Sequence, residues 1–295
     1  MQSYMLSCCS TADLTKEQFR ERNIAWLCFH YFLDGKEYTD DLGESLSFDT
    51  FYKAIADGAD TRTSQVNAEE YLAHFTPYLE QGLDVFHVCL SSGLSGTINS
   101  ARIAAEQAME QFPERKVVVV DSLAASAGFG LLMDTLAGLR DEGKSMEELK
   151  TFVEENRLRL RHWFFTTDLS TFIRGGRVSK TSGFVGTLLG ICPLLDMDQG
   201  GHLTPREKVR SKKKVIARIV EKMTEEAVDG TDYSGKCFIS HSACPEDAEA
   251  VAALVREKFP KLSGEIIINS IGTTIGSHTG PGTVALFYWS KEKRI

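Results

Sequence analysis

The chain has little of what marks the commonest cofactor and metal proteins. Its seven cysteines are an odd number, and none stands in a C-x-x-C pair. This argues against a disulfide framework and for reduced thiols in a cytoplasmic protein. The one metal-like spacing, His241-Ser242-Ala243-Cys244 with Cys237 nearby, lacks a matched second pair, so no metal site is expected. Basic residues are in deficit: 33 Lys and Arg face 41 Asp and Glu, for a net charge of −8. Wholesale attraction to nucleic acid or anionic lipid is thereby excluded. Long apolar runs are missing too. The longest weakly polar stretch, Gly183 to Leu195, is broken by glycine and proline and is too short to span a bilayer, so no integral membrane segment is expected. Residues Met1 to Ser10 hold no Lys or Arg and no sustained apolar core, and do not read as a signal peptide. No G-x-G-x-x-G follows a strand candidate and there is no Walker A lysine motif, so NAD and ATP are not expected through those loops.

What is present is the composition of a soluble globular protein, 42% hydrophobic and 25% charged over 295 residues. That length allows one large domain or two ordinary ones. Thr15 to Gln18 has capping-box spacing and opens an amphipathic stretch to about Arg22. Ile24 to Leu33 reads as a buried strand ending at the Asp34-Gly35 turn. Phe48 to Ile55 has helical spacing. Asn67 with Glu70 caps a helix over Ala68 to Leu79. The apolar runs Val85–Leu90 and Val117–Val120 are separated by a helix, which predicts a parallel βαβ arrangement. A helix rich in small residues follows from Ala124 to Arg140, and Ser145 caps another to about Arg157.

The second half mixes strand–strand with strand–helix connections. Strands are expected at His162–Thr167, Ile191–Met197, Gly201–Arg210, Lys236–His241, Glu265–Ser270 and Val284–Trp289. Long helices are expected at Lys212–Val228 and from Pro245, in the position proline favours, to Phe259. The expected fold is α/β in two domains: residues 1–160 with a parallel sheet, and residues 161–295, α+β with a mostly antiparallel sheet.

Three polar segments fall where strands end or helices begin: Thr63-Ser64-Gln65, Ser91-Ser92-Gly93-Leu94-Ser95-Gly96-Thr97, and Gly276 to Gly282 around His278. The second offers hydroxyls and free backbone N–H groups at the positive end of a helix dipole, which suits an anion. His278, followed by Thr-Gly-Pro-Gly, is expected in a tight turn. Ser95 with His278 as its base would make a serine acyl hydrolase. However, Thr97 stands where G-x-S-x-G requires glycine, and no third triad member is evident. Arg174-Gly175-Gly176-Arg177 is a basic spot in an acidic protein, able to place a guanidinium against a phosphate or carboxylate.

Ser10-Thr11-Ala12-Asp13-Leu14, Thr63-Ser64-Gln65, Ser91 to Thr97, Arg174 to Ser179 and His278 to Gly282, in this order, resemble the DegV family from about residue 10 to the carboxyl terminus. The resemblance implies a cytoplasmic two-domain protein that binds one long-chain fatty acid between its domains. It has no catalysis of its own and no cofactor, and presents the carboxylate to a separate fatty acid kinase subunit. By motif, the carboxylate contacts fall on Thr63, Ser64, Ser95 and His278, with Ser92 a second candidate in its loop. Arg174 and Arg177 fall near the head group and the kinase-facing surface. Leu188, Leu189, Ile191, Leu194 and Leu195 are candidates for the acyl tunnel. Cys8-Cys9 departs from the polar pair common in the family, and a changed pocket edge would make another lipid carboxylate or phosphate the ligand.

Overall fold

The structure is a computed structural model that describes residues 3–179 and 190–295. Strand β1 (Tyr4–Cys9) leads to α1 (Lys16–Glu21), β2 (Ile24–Leu27), β3 (His30–Leu33), β4 (Lys36–Thr39) and α2 (Phe48–Ala56). Next come β5 (Thr61–Ser64), α3 (Ala68–Glu80), β6 (Asp84–Cys89), α4 (Thr97–Gln111), β7 (Val117–Asp121), α5 (Ser126–Asp141) and α6 (Met146–Asn156). The second half holds β8 (Leu160–Thr166), α7 (Ser170–Arg174), β9 (Ile191–Met197), β10 (Leu203–Arg210) and α8 (Lys212–Glu226). It ends with β11 (Phe238–His241), α9 (Pro245–Lys258), β12 (Ile267–Ser270), α10 (Thr273–Thr279) and β13 (Thr283–Trp289).

Local chemistry sets several of these boundaries. Reciprocal capping boxes close at Thr15–Gln18, Asn67–Glu70 and Ser145–Glu148, and Pro245 opens α9. Each satisfies backbone N–H groups that a helix start leaves without partners.

The fold is α/β in two parts. A four-stranded sheet in the order β2-β1-β6-β7 is wholly parallel, with Val85 opposite Val117 across the βαβ unit. A six-stranded sheet in the order β10-β9-β8-β13-β11-β12 is antiparallel except where β11 meets β12. On one of its faces α8 packs Val215, Ile219 and Met223, and α9 packs Ala248, Val251, Ala252 and Val255. These spacings of three and four residues form single apolar stripes.

Between the two sheets runs α5, with twelve of its sixteen residues buried. Its glycines explain how it fits. A Cβ on Gly128 would lie 2.5 Å from Phe287 Cδ1 on the antiparallel sheet, whereas one on Gly130 would lie 2.7 Å from the Ala12 carbonyl oxygen. The helix thus touches both units at van der Waals distance. One continuous core accordingly joins Leu6, Phe86 and Phe129 to Phe164, Leu195 and Phe287.

Among the strands, the sequence reading fails at 24–33. Ile24 to Leu33 is not one strand but two, in different sheets: β2 extends the parallel sheet, and β3 belongs to a small antiparallel sheet, β4-β3-β5. Asp34 and Gly35 both have positive φ, as a tight hairpin turn requires. Thr63 and Ser64 end β5, a strand the sequence reading did not name, with Tyr31 opposite Thr63. Both halves of 24–33 carry buried residues, so periodicity alone could not locate the break at Cys28-Phe29.

Candidate ligand-binding cavity

At the carboxyl end of β6 the chain turns through Ser91 to Gly96 into α4. Ser91 is fully buried; its Oγ donates to the Gly201 carbonyl (2.9 Å) in the β9–β10 turn and accepts from the Gly93 N–H (3.2 Å). The Ser91 carbonyl accepts from Leu94 N and Ser95 N at 3.0 and 3.1 Å. This loop is therefore fixed against the second half of the molecule. Ser95 Oγ accepts from the Thr97 N–H (3.3 Å), which leaves its own hydroxyl hydrogen to give. The N-cap of α4, Gly96, offers no side chain; the Thr97 N–H goes to Ser95 Oγ and the Asn99 N–H to the Gly96 carbonyl (3.0 Å), so what the loop offers an anion is the positive end of the helix and the Ser95 hydroxyl.

His278 is in the last turn of α10, not in a tight turn as the sequence suggested. The helix ends at Gly280, φ +64°, whose N–H donates to Gly276 O (2.8 Å). Proline and two glycines after His278 therefore mark a helix stop. His278 Nε2 stands 2.8 Å from Thr63 Oγ1. Burial first, and the positive charge of Arg177 second, push its pKa down to about 3, so the ring is neutral at physiological pH. Its Nδ1 is buried with no hydrogen-bond partner among the described residues.

The two glycines of Arg-Gly-Gly-Arg serve different ends. A Cβ on Gly175 would fall 2.4 Å from His278 Nδ1, so only glycine lets the backbone lie on the imidazole. Gly176 instead has φ +72°, a conformation side chains disfavour. The turn aims Arg177 inward: Nη1 donates to Gly175 O (2.7 Å) and Nη2 to Leu94 O (3.1 Å). The guanidinium is half-buried, and burial alone lowers its pKa. No carboxylate among the described residues pairs with it. A cation so placed favours an anion beside it.

These groups open into one cavity of about 490 Å³, a volume typical of small-molecule sites. Thr63, Ser64, Ser95, Arg177 and His278 line it at one end. Its wall is apolar: Phe29, Leu90 and Leu94 from the parallel unit, Ile271 and Ile275 before and on α10, and Phe164, Phe172, Met197, Leu203 and Phe287 from the second half. Two candidates lie outside the lining. Ser92 is exposed and its N–H donates to Asp121 Oδ1 (3.2 Å); Arg174 is exposed at the end of α7. The tunnel candidates also fall elsewhere. Leu194 and Leu195 are fully buried in the two cores and Ile191 is away from the cavity, while Leu188 and Leu189 lie outside the described residues. The wall comes instead from His162 and Phe164 on β8 and from Thr283, Ala285 and Phe287 on β13. Their alternation along each strand was the available signal.

The pairing needed for a serine hydrolase is not formed. His278 Nε2 faces Thr63, Ser95 Oγ accepts from Thr97, and a base with a pKa of about 3 takes a proton poorly at neutral pH. Among the described residues no cluster of metal-ligating side chains is present, and no helix is long and apolar enough to cross a membrane.

Comparison with known proteins places the chain in a family. A family model described as "Uncharacterised protein, DegV family" matches residues 9–291. A DegV domain-containing protein of Clostridium perfringens is 36% identical over 293 residues, covering 99% of either chain. A solved DegV family protein of Thermus thermophilus, described for its fatty acid binding, superposes with a TM-score of 0.86 at 27% identity, over 98% of this chain and 99% of that one. The fatty acid kinase B3 protein of Streptococcus pneumoniae, solved with linoleic acid, shares the fold at a TM-score of 0.83 and 21% identity, over 98% and 100% of the two chains. With nearly its whole length matched by the family model and by curated relatives above 30% identity, this chain belongs to the DegV family.

Proposed function

We propose that the chain is a carrier for one long-chain fatty acid, held between two domains of residues 1–160 and 161–295. Its carboxylate sits at the Thr63–Ser95–Arg177–His278 end, with Ser64 beside it, and its alkyl chain lies along the apolar wall. The observation that carries this reading is a guanidinium with no carboxylate partner among the described residues, beside a neutral histidine, in a largely apolar cavity. A carboxylate supplies the missing counter-charge, accepts from Ser95 and lies at the positive end of α4. Each buried methylene contributes about 0.8 kcal/mol, less the cost of ordering the chain.

In this reading the protein performs no chemistry itself. It offers the carboxylate to a separate kinase, for which exposed Arg174 beside the cavity-lining Arg177 provides a cationic docking point. The kinase B3 neighbour has the same fold, which supports this role for the site. All seven cysteines are free thiols, six of them buried, which fits the cytoplasm.

Native mass spectrometry of the purified protein, followed by denaturing extraction, tests the proposal. A stoichiometric mass excess that extracts as a long-chain fatty acid supports it. A ligand-free protein that takes up neither oleate nor palmitate overturns it. Phosphorylation of the bound acid by an added fatty acid kinase tests the second part.

A further inference from the structure

The first motif of the chain, Ser10-Thr11-Ala12-Asp13, contributes no residue to the cavity lining. Two of its side chains bond instead to elements that do. Asp13, 4% exposed, accepts from the Gly272 N–H through Oδ1 (3.0 Å) and from the Ser126 hydroxyl through Oδ2 (2.5 Å). Ser10 Oγ donates to Asp40 Oδ2 (3.0 Å), and the other oxygen of Asp40, 1% exposed, accepts from Thr273 Oγ1 (2.8 Å). Neutral donors thus hold two buried carboxylates of the first half, which burial would otherwise penalise. Both carboxylates reach the start of α10. A Cβ on Gly272 would lie 2.7 Å from Asp13 Oδ1 and 3.5 Å from Asp40 Oδ1, so only glycine lets the helix start close on both.

Both elements that Asp13 joins face the cavity. Thr274, Ile275, His278 and Thr279 line it from α10, and Ala125 and Ser126 line it from the start of α5. The chain enters α10 from β12 and leaves it for β13, so the helix belongs to the second half by sequence. Its bonds, however, go to the first half. Tyr52 OH donates to Ile271 O (2.8 Å) just before its first turn, and Thr61 Oγ1 to Ser277 O (2.9 Å) in its last. Asp13 and Ser126 both have positive φ, +49° and +54°. Such backbone persists in residues other than glycine where the surroundings over-determine it, and it clusters at ligand sites. Burial holds the Asp13 pKa well above its ordinary value, so a neutral amide suits the same place.

We infer that Asp13, seconded by Asp40, is a positioning residue for the ligand carboxylate. Resting on the carrier reading, this role is to fix the start of α10 so that His278, in the last turn of that helix, meets Thr63 and the bound acid. Calorimetric titration of the delipidated full-length protein with oleate tests it. Asp13→Ala is expected to weaken binding about tenfold, the scale of one misplaced hydrogen bond. Asp13→Asn keeps an acceptor for Gly272 and offers Nδ2 to the Ser126 oxygen, which can donate to Ser240 Oγ (2.9 Å), so it should restore most of that loss. Coupling to His278 is the readout that a merely structural role would not move. In a His278→Ala background, Asp13→Ala is expected to cost less than about twofold more, the margin within which independent effects add.

Equal losses from Asp13→Ala with and without His278 overturn this inference alone, because Asp13 then does not act through the histidine. So does unchanged oleate affinity in Asp13→Ala. An unaltered protein that takes up no oleate overturns the carrier reading itself, and this role with it. Thr273→Val removes the donor to Asp40 at the same helix start and carries the same expectation of coupling, which decides the matter even where Asp13→Ala fails to fold.

Discussion

At the polar end of the cavity, Thr63, Ser95, Arg177 and His278 come from a strand end, a loop, a turn and the last turn of a helix. At the far end, His162, Phe164 and Phe287 stand on one face of two adjacent strands, with α5 pressed against them. The first group is positioned by backbone special cases: Gly175 against an imidazole, Gly176 and Gly280 at positive φ. The second is part of the continuous core that joins the two sheets. Polar-end residues can therefore be changed with little effect on folding, whereas far-end residues carry binding and stability together.

Substitutions can break this contrast. Gly128→Leu should have the largest effect, because its side chain would collide with Phe287 and His162. Overpacking of this kind costs about 1–3 kcal/mol, so thermal melts should shift downward and the protein should be isolated without lipid. An unshifted melt would mean that α5 is not wedged between the sheets. Arg177→Ala should instead leave the melt of lipid-free protein nearly unchanged and weaken oleate binding by roughly 10- to 100-fold, the range for a hydrogen bond to a charged group. Calorimetric titration measures it, and unchanged affinity would remove the guanidinium from the site.

Gly175→Ala is a finer probe of the same end. Its methyl would press His278 Nδ1 from 2.4 Å, and about tenfold weaker binding is expected, at the scale of one misplaced hydrogen bond. Ser95→Ala should cost several-fold, while Ser92→Ala, on an exposed residue outside the lining, should cost nothing. Equal losses for the two serines would show that the loop binds through a different face.

Acid should separate stability from binding. In the unfolded chain His278 takes up a proton near its ordinary pKa of about 6.5, but in the folded protein only near 3. Between those values the unfolded state binds more protons, so stability falls as pH drops through this window. Buried His74, pushed down to about 4 by desolvation, adds to the same limb. His278→Gln should flatten part of the acid limb in denaturation followed by circular dichroism. Oleate retention should stay level from about pH 5 to about pH 8, because His278 does not titrate there.

Much of this molecule was legible in the sequence because its signals are local. Capping boxes at Thr15, Asn67 and Ser145, Pro245 at a helix start, and apolar periods of two and 3.6 residues depend on neighbours along the chain. They gave most of the helices, the strands from β6 onward and the division between a parallel and a mostly antiparallel sheet, but not β1, β4, β5 or α10. The motif loops also announced where a polar site would be assembled.

Tertiary structure decided the rest. It split 24–33 between two sheets, set Ser95 inside the cavity and Ser92 outside, and put Gly175 on the His278 ring. It also drew the apolar wall from β8 and β13 rather than from Ile191, Leu194 and Leu195. Each of these depends on which strand face meets which neighbour, and strand pairing joins residues far apart in sequence, such as Tyr31 with Thr63 and His162 with Phe287. Local periodicity can say that a strand has two faces; only the packed sheets determine which of them looks into the cavity.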